Sequence, residues 1–317
     1  MKKLIVLATL AALPAAAMAD VVISGNLAVG IVNTKTSGTG SVTTEDRTSG
    51  EIKFAGKEDL GNGLKSIWQI ATKVNLADSK DESAAEENAW GTRESFVGLQ
   101  GDFGTVKLGN IYNMPTSGAL AVFEDLSATF DSVIYDQGTR VNNTIAYVSP
   151  SIAGFTATAQ HSFGKSKDAE EAKEHAQTLG LAYEGEGFAV SYDGRYSEQA
   201  SDKTAKLHEL NASASFDALT VLVGAARNTD DDGRRNGYGI SATYAMGNIT
   251  PKIGFWKEGD LKTKNDTVND GHKAFALGAE YALSKRTRAG AQISKVNYDA
   301  DGVPSLRRAM VYLGTKF

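Results

Sequence analysis

The longest connection in this sequence carries acidic side chains that could act on charged solutes. The segment 111–139 holds four carboxylates among many apolar and aromatic residues: Glu124, Asp125, Asp131 and Asp136. Fixed carboxylates that border a water-filled passage attract cations and repel anions. Long connections without secondary structure of their own are usually functional. A surface loop that covers a neighbouring part of the protein is the alternative interpretation of this segment.

Other constellations that could do chemistry are weak. The chain has no cysteine, which excludes thiol nucleophiles, disulfides and Cys-ligated metals. The four histidines show no zinc-type spacing, and none can be matched with a serine nucleophile. The run 228–233 resembles the start of a calcium loop, but the twelfth position is Gly239, where a glutamate is needed. We therefore expect no enzymatic activity, no metal site and no cofactor.

Composition and the N-terminus narrow the class of protein. The 317 residues include 33 basic and 38 acidic side chains, a balance that argues against nucleic-acid binding. No apolar run of roughly 18 residues follows the N-terminal segment, so membrane-spanning helices are not expected. Residues 1–19 combine Lys2 and Lys3 with a short apolar core and an Ala-Met-Ala end, the pattern of a cleaved secretory signal peptide. The mature domain is then expected to be 20–317.

Strand-like runs of roughly ten residues recur from end to end of the chain. In 249–256 the apolar Ile253 and Phe255 alternate with Lys252, and the last run alternates in the same way up to Phe317. Short turns alternate with longer polar connections such as 34–50. The runs number sixteen, with both termini on the short-turn side. An even number of antiparallel strands with this loop pattern is typical of an outer-membrane barrel.

The alternation by itself fits two architectures. In lipid, every backbone N–H and C=O must be paired within the protein, so a membrane sheet must close on itself. A secreted soluble β-sandwich such as a lectin shows similar alternation, with its apolar faces in a dry core. The alternating loop lengths and the signal peptide favour a sixteen-stranded antiparallel transmembrane β-barrel. Aromatic residues near the strand ends fit the interfacial girdles of such barrels: Tyr147, Phe155, Tyr183, Phe188, Tyr244, Phe255 and Tyr281.

Nearly the whole chain resembles the general porins of Gram-negative bacteria, of the trimeric neisserial and betaproteobacterial type. The most specific stretches are 54–69, FAGKEDLGNGLKSIWQ, and 93–101, RESFVGLQG. The segments 19–21, 247–251 and 283–287 also match. The resemblance implies a homotrimer in the cell outer membrane, in contact with lipid and lipopolysaccharide and inserted by the barrel-assembly machinery. It also implies passive diffusion of ions and small hydrophilic solutes.

The resemblance further implies a narrowed pore. In the family the third long loop folds back inside the barrel, and here that loop is 111–139. Its acidic residues would face a basic wall formed by four residues: Lys53, Lys65, Arg93 and Arg140. Strand parity supports an inward position for Lys53, Lys65 and Arg140, whereas the parity of Arg93 is less clear. Glu51 stands where many relatives have a basic residue, which weakens that wall.

Two other functions of such a barrel stay open. One is a substrate-selective pore with a binding site in the long loop. The other is a structural or adhesive barrel whose outer loops bind a partner while its lumen is plugged. Without Lys2 and Lys3 the chain carries 31 basic and 38 acidic side chains, and this net charge of −7 favours a slight preference for cations. Charges on outer loops, however, are screened within about 8–10 Å.

Overall fold

The computed structural model describes residues 21–74, 76, 90–112, 122–123, 140–164, 175–198, 203–268 and 270–317. The strands in these residues are β1 (Val22–Thr36), β2 (Val42–Gly61), β3 (Leu64–Lys73), β4 (Ser95–Gly101), β5 (Gly104–Tyr112), β6 (Arg140–Val148), β7 (Phe155–Ser162), β8 (Ala176–Gly185), β9 (Phe188–Glu198), β10 (Thr204–Phe216), β11 (Leu219–Asp230), β12 (Arg234–Tyr244), β13 (Ile249–Glu258), β14 (Leu261–Lys262), β15 (Thr267–Val268), β16 (His272–Ala282), β17 (Thr287–Tyr298) and β18 (Leu306–Lys316). No helix long and apolar enough to cross a membrane occurs in the described part of the chain.

Sixteen long strands in the described residues form one closed antiparallel sheet. Each strand pairs with its neighbours in the chain, β13 pairs with β16, and β14 and β15 form a small hairpin between them. The first and last strands close the ring, with a register running from Asn26 opposite Lys316 to Thr36 opposite Leu306. A closed sheet leaves no strand edge unpaired, which is the requirement that lipid imposes. The prediction of a sixteen-stranded antiparallel barrel is confirmed.

The two faces of each strand differ in chemistry and exposure, as the alternation predicted. On β13, Ile253 and Phe255 are 46% and 37% exposed on the outside, whereas Lys252 and Trp256 are 7% and 3% exposed on the inside. The other strands repeat this pattern, with large apolar side chains on the outer surface. The outer surface is therefore suited to lipid, and the inner surface carries the polar and charged groups.

Two inward aromatic side chains lie over glycines of the neighbouring strand. Trp256 is directly opposite Gly239, and Tyr312 is directly opposite Gly290. A Cβ added at either glycine would come within 2.2 Å of the aromatic ring opposite. Glycine therefore gives the ring space to lie flat against the inner wall, a device that also protects the glycine backbone in twisted sheets.

Aromatic side chains on the outer face gather near the short turns. Phe155 and Tyr183 have ring centroids 4.7 Å apart, and Tyr183 lies 5.4 Å from Phe188. The Tyr147 hydroxyl donates a hydrogen bond of 2.7 Å to the Phe103 carbonyl in a neighbouring turn. A ring with one wet end and one apolar side suits the boundary between lipid and water, as the girdle prediction requires.

One connection is shorter than the sequence predicted. The segment 34–50 was expected to be a long polar loop, but only 37–41 connect β1 and β2. Its Val and Thr residues favour extended backbone, and Lys35 pairs with Val42 in the ladder between the two strands. The polar composition of 34–50 indicated only that the segment is exposed to water. The backbone pairing between β1 and β2 nevertheless continues past the apolar band of the barrel into this polar stretch.

Candidate functional site

Two of the four predicted basic wall residues meet around one carboxylate. Lys53 and Glu51 lie two residues apart on the inner face of β2, and the Lys53 Nζ is 2.8 Å from the Glu51 Oε1. Arg93, in the connection between β3 and β4, places its Nε 4.0 Å from the Glu51 Oε2. The Glu51 side chain is only 12% exposed, so this carboxylate is held between the two cations. Glu51 therefore cancels part of the positive charge of this wall.

Arg140 belongs to the same region of the inner wall. It begins β6 and hydrogen-bonds the hydroxyl of Tyr112, the last residue of β5. Its guanidinium carbon also lies 4.3 Å from the centre of the Tyr112 ring. Burial lowers the pKa of Arg93, repulsion from Arg140 lowers it further, and Glu51 raises it. Lys53, Arg93 and Arg140 are thus one electrostatically connected group.

Lys65 shares the inner face but lies elsewhere along the barrel. It pairs with Asp59 on β2 and with Gln100 on β4, next to the short turns. Lys53 is opposite Ala71, six residues from Lys65 along β3. At about 3.3 Å per residue, the two lysines are roughly 20 Å apart along the wall. The structure therefore does not bring Lys65 together with the other three basic residues.

The four predicted acidic residues of the long loop lie outside the described residues: Glu124, Asp125, Asp131 and Asp136. Two neighbours of these acids are described. The Phe123 ring is 5% exposed and meets the inward Trp256 edge-on, with centroids 5.5 Å apart. The Val122 carbonyl accepts a hydrogen bond of 2.6 Å from the Lys252 Nζ. Residues 122–123 are therefore in contact with the inner face of β13.

A second charged group on the inner wall was not singled out from the sequence. The Lys252 Nζ lies 2.6 Å from the Glu280 Oε1, which also accepts a 2.6 Å hydrogen bond from the Tyr312 hydroxyl. The Arg288 Nε is 3.3 Å from the same oxygen. These four residues lie on β13, β16, β17 and β18. Parity places each on the polar face of its strand, but only strand pairing shows that they converge.

Further charges line the inner wall between these two groups. Asp193 and Glu209 are directly opposite each other on β9 and β10, and both are 1% exposed. Glu258, also 1% exposed, lies 3.6 Å from the Arg235 Nη1. Within the described ranges, no group of three or more His, Cys, Asp or Glu residues could hold a metal ion.

The arrangement suits a water-filled passage better than a dry core. A sixteen-stranded ring is wide enough to leave an aqueous lumen. Its inner wall carries fixed cations and anions, which are held in place by ion pairs within a strand, as between Lys53 and Glu51, and between neighbouring strands. Such groups orient water and solute dipoles and bias which ions enter. This inner surface can therefore conduct hydrophilic solutes and discriminate among them by charge.

Comparison with known proteins agrees with this interpretation. The model of the Gram-negative porin family matches residues 5–301. The major outer membrane protein P.IB of Neisseria lactamica is 31% identical over 323 residues, covering 91% of each chain.

Two solved structures show the same fold. The anion-selective porin from Comamonas acidovorans has a TM-score of 0.74 at 18% identity and covers 94% of this chain and 100% of its own. The trimer form of OmpT, an outer membrane protein of Vibrio cholerae, has a TM-score of 0.69 at 12% identity, covering 94% and 99%. From its sequence, its closed barrel and its charged lumen, this chain belongs to the Gram-negative porin family and forms a porin channel in the outer membrane.

Proposed function

We propose that this porin is a general diffusion channel for ions and small hydrophilic solutes, narrowed by the segment 111–139, and that it catalyses no reaction. The observation that carries the proposal is the contact of Phe123 with Trp256. The segment leaves the barrel wall at the end of β5, and β13 is eight strands away in a ring of sixteen. β5 and β13 are therefore on opposite sides of the barrel.

The chain between these two sides is long enough to cross the lumen. Val122 follows Tyr112 by ten residues, which can span up to roughly 33–36 Å. Inward-facing Lys252 and Trp256 hold 122–123 at the far wall by a hydrogen bond and a ring contact. Glu124 and Asp125 follow directly in the sequence, and the proposed constriction sets them, Asp131 and Asp136 against the basic residues Lys53, Arg93 and Arg140. The result is a transverse field that favours hydrophilic solutes over apolar ones.

We also propose that the protein is exported with a cleaved signal peptide over 1–19 and assembles as a homotrimer. The trimer form of the solved Vibrio cholerae protein supports the second statement. Sequencing the mature N-terminus tests the first, with Asp20 as the expected first residue. Comparing the masses of heated and unheated samples in detergent tests the second.

Single-channel recording in a planar bilayer under a salt gradient tests the diffusion function. The current through the wild type should rise and fall in groups of three equal steps, one for each channel of the trimer. The Arg140→Glu variant should show a reversal potential shifted towards cation selectivity relative to the wild type. Arg286→Glu makes the same charge change in a short turn and should leave the potential nearly unchanged. No current from folded, inserted protein would overturn the diffusion proposal and favour a structural or adhesive barrel. An unchanged potential in Arg140→Glu would show that Arg140 does not face the constriction.

Lys252→Met tests the position of the narrowing segment separately. Loss of the Lys252 ammonium removes the hydrogen bond to the Val122 carbonyl, so the segment should fluctuate and the open-channel current should become noisier. Lys65→Met changes an inner lysine near the short turns and should not affect the noise. If both variants were as quiet as the wild type, the segment would not be held at β13.

A further inference from the structure

Two carboxylates lie directly opposite each other on the inner wall, near the middle of their strands. Asp193 is the sixth of the eleven residues of β9, and Glu209 is the sixth of the thirteen residues of β10. The two positions pair in the strand register, and each side chain is 1% exposed. Like charges directly opposite each other in a sheet repel. The pair therefore attracts cations from the lumen.

Two oxygen atoms at this pair are buried and lack a hydrogen-bond donor. The Asn211 Nδ2 donates a hydrogen bond of 2.8 Å to the Glu209 Oε1, which leaves the Asn211 Oδ1 for another donor. Among the described residues, neither the Asn211 Oδ1 nor the Asp193 Oδ2 has a hydrogen-bond partner. Burial of an acceptor without a partner is unfavourable, and more so for a charged acceptor. These two oxygens therefore call for a ligand that donates hydrogen bonds.

A recess of about 230 Å³ in the inner wall is lined by both Asp193 and Asn211. Small side chains on the neighbouring strands leave this space open, namely Gly180 and Ala182 on β8 and Ser191 on β9. A Cβ at Gly180 would collide with the Asp193 carboxylate, so glycine at this position allows Asp193 to lie over β8. At about 30 Å³ per water molecule, the recess holds roughly seven water-sized groups. It is large enough for the polar end of a small organic solute.

The chemistry of the recess favours an ammonium group. A primary ammonium carries one positive charge and donates three hydrogen bonds. Two of these match the unpartnered oxygens of Asp193 and Asn211, and the third matches a serine hydroxyl, since Ser191 and Ser213 also line the recess. A metal ion fits less well, because no group of three or more His, Cys, Asp or Glu residues in the described ranges could hold one. The site is thus suited to a cation with N–H donors.

The charge of the opposite wall strengthens this preference. β10 lies eight strands from β2 in the ring of sixteen, so Glu209 faces the side of the lumen that carries Lys53. Lys53 is eight residues from the short-turn end of β2, and Glu209 is seven residues from the short-turn end of β10. The two charges therefore lie at a similar height in the barrel. A cationic solute is repelled by the basic side and attracted to the acidic side, where the recess lies.

We propose that the recess lined by Asp193, Asn211 and Ser191 is a binding site for small organic cations with a primary ammonium group, which the channel binds as they pass through. The ammonium donates hydrogen bonds to the Asp193 Oδ2 and the Asn211 Oδ1, and its charge relieves the repulsion between Asp193 and Glu209. The access of solutes to this site rests on the proposed diffusion function, because they reach it through the open lumen.

Calorimetric titration of the folded protein in detergent tests the site, with n-butylammonium and tetramethylammonium as probes. Both probes carry one positive charge, but only n-butylammonium has N–H donors. The wild type should bind n-butylammonium roughly tenfold more tightly than tetramethylammonium, and Asp193→Asn should weaken n-butylammonium binding by roughly tenfold or more. Because this change removes a repulsion, the variant should fold as stably as the wild type. Glu258→Gln removes an equally buried carboxylate that lies 3.6 Å from the Arg235 Nη1, and it should retain the binding.

A second variant tests the recess by filling it. Ala182→Leu places a larger side chain in the recess and leaves both carboxylates in place, so it should weaken n-butylammonium binding. Ala225→Leu places the same side chain on the outer face of β11 and should not affect binding. Unchanged binding in Ala182→Leu would show that the ligand does not occupy the recess.

Equal affinity of the wild type and Asp193→Asn for n-butylammonium would overturn the proposal. So would equal affinity of the wild type for the two probes, because charge alone would then attract them. Single-channel recording from the same preparation distinguishes these results from a failure of the diffusion function. Normal current without selective binding of n-butylammonium would overturn the binding site alone, whereas the absence of both current and binding would overturn the diffusion function as well.

Discussion

At the scale of single residues, the net charge of the inner wall is reduced by carboxylates that form ion pairs with its lysines and arginines. Glu51 lies between Lys53 and Arg93. Glu280 forms ion pairs with Lys252 and Arg288, and it accepts a hydrogen bond from the Tyr312 hydroxyl. These anions fix long flexible side chains in place and reduce the net charge that an ion meets. The basic wall is therefore weaker than a count of its lysines and arginines indicates.

Glu51→Gln should make the wall more positive and the channel more permeable to anions. The amide keeps the shape of the side chain but leaves the charges of Lys53 and Arg93 uncompensated. We expect the ratio of anion to cation permeability to rise by roughly twofold, measured as the reversal potential in a salt gradient. Glu45→Gln, which removes a carboxylate 3.1 Å from Arg47 farther along β2, is the matched control. An equal shift in both variants would mean that overall charge, not the wall, sets selectivity.

At the scale of elements, each strand of this barrel has one face in contact with lipid and the other in contact with the water-filled lumen. The same strand presents aliphatic side chains to lipid and polar or small side chains to the lumen, so one residue of displacement exchanges the two environments. On β11, Val223 is 42% exposed on the outer face, and its neighbour Leu222 is on the inner face opposite Ser213. Adjacent residues therefore have opposite tolerance for charge.

Val223→Arg should destabilise the barrel by about 2–4 kcal/mol, because the guanidinium enters the lipid-facing band. Leu222→Arg should be much better tolerated, because the same side chain then reaches a lumen that already holds charged residues. The free energy of unfolding is measured by urea titration in lipid vesicles, followed by the gel shift between folded and unfolded chain. Equal destabilisation of both variants would contradict the assignment of faces on β11.

At the scale of the whole molecule, stability depends on closing the ring. The Phe317 N–H donates to the Gly25 carbonyl at 3.0 Å, and the Gly25 N–H donates to the Phe317 carbonyl at 2.9 Å. These two bonds extend the register between the first and last strands to the last residue. The two ends of the chain thus complete a sheet that no contact between neighbouring segments could close.

Deletion of Phe317 should therefore destabilise the folded barrel by about 1–3 kcal/mol, the value of two backbone hydrogen bonds. Phe317→Leu retains both bonds and should lose less. The measurement is the temperature at which the compact band converts to the unfolded band on a gel. If Phe317→Leu were as unstable as the deletion, the aromatic ring and not the backbone closure would be the stabilising element.

The sequence by itself determined the number of strands, their faces and the membrane they cross. Alternation with a period of two is local, and it correctly placed Ile253 outside and Lys252 inside. Strand parity also placed Lys53 on the inner face. Residues 54–69 and 93–101 were specific enough to indicate the porin family, which the comparisons confirm.

Only the tertiary structure decided which side chains meet. Closure of the ring brings Lys252, Glu280 and Tyr312 together from strands up to 60 residues apart, and it aligns Lys35 with Arg307 and Lys295. Parity put Lys65 and Lys53 on one face, but distance along the strand separates them. Phe123, which follows β5 in the chain, contacts Trp256 on β13. Such contacts depend on strand register and on the curvature of the closed sheet, and no local pattern in a sequence carries that information.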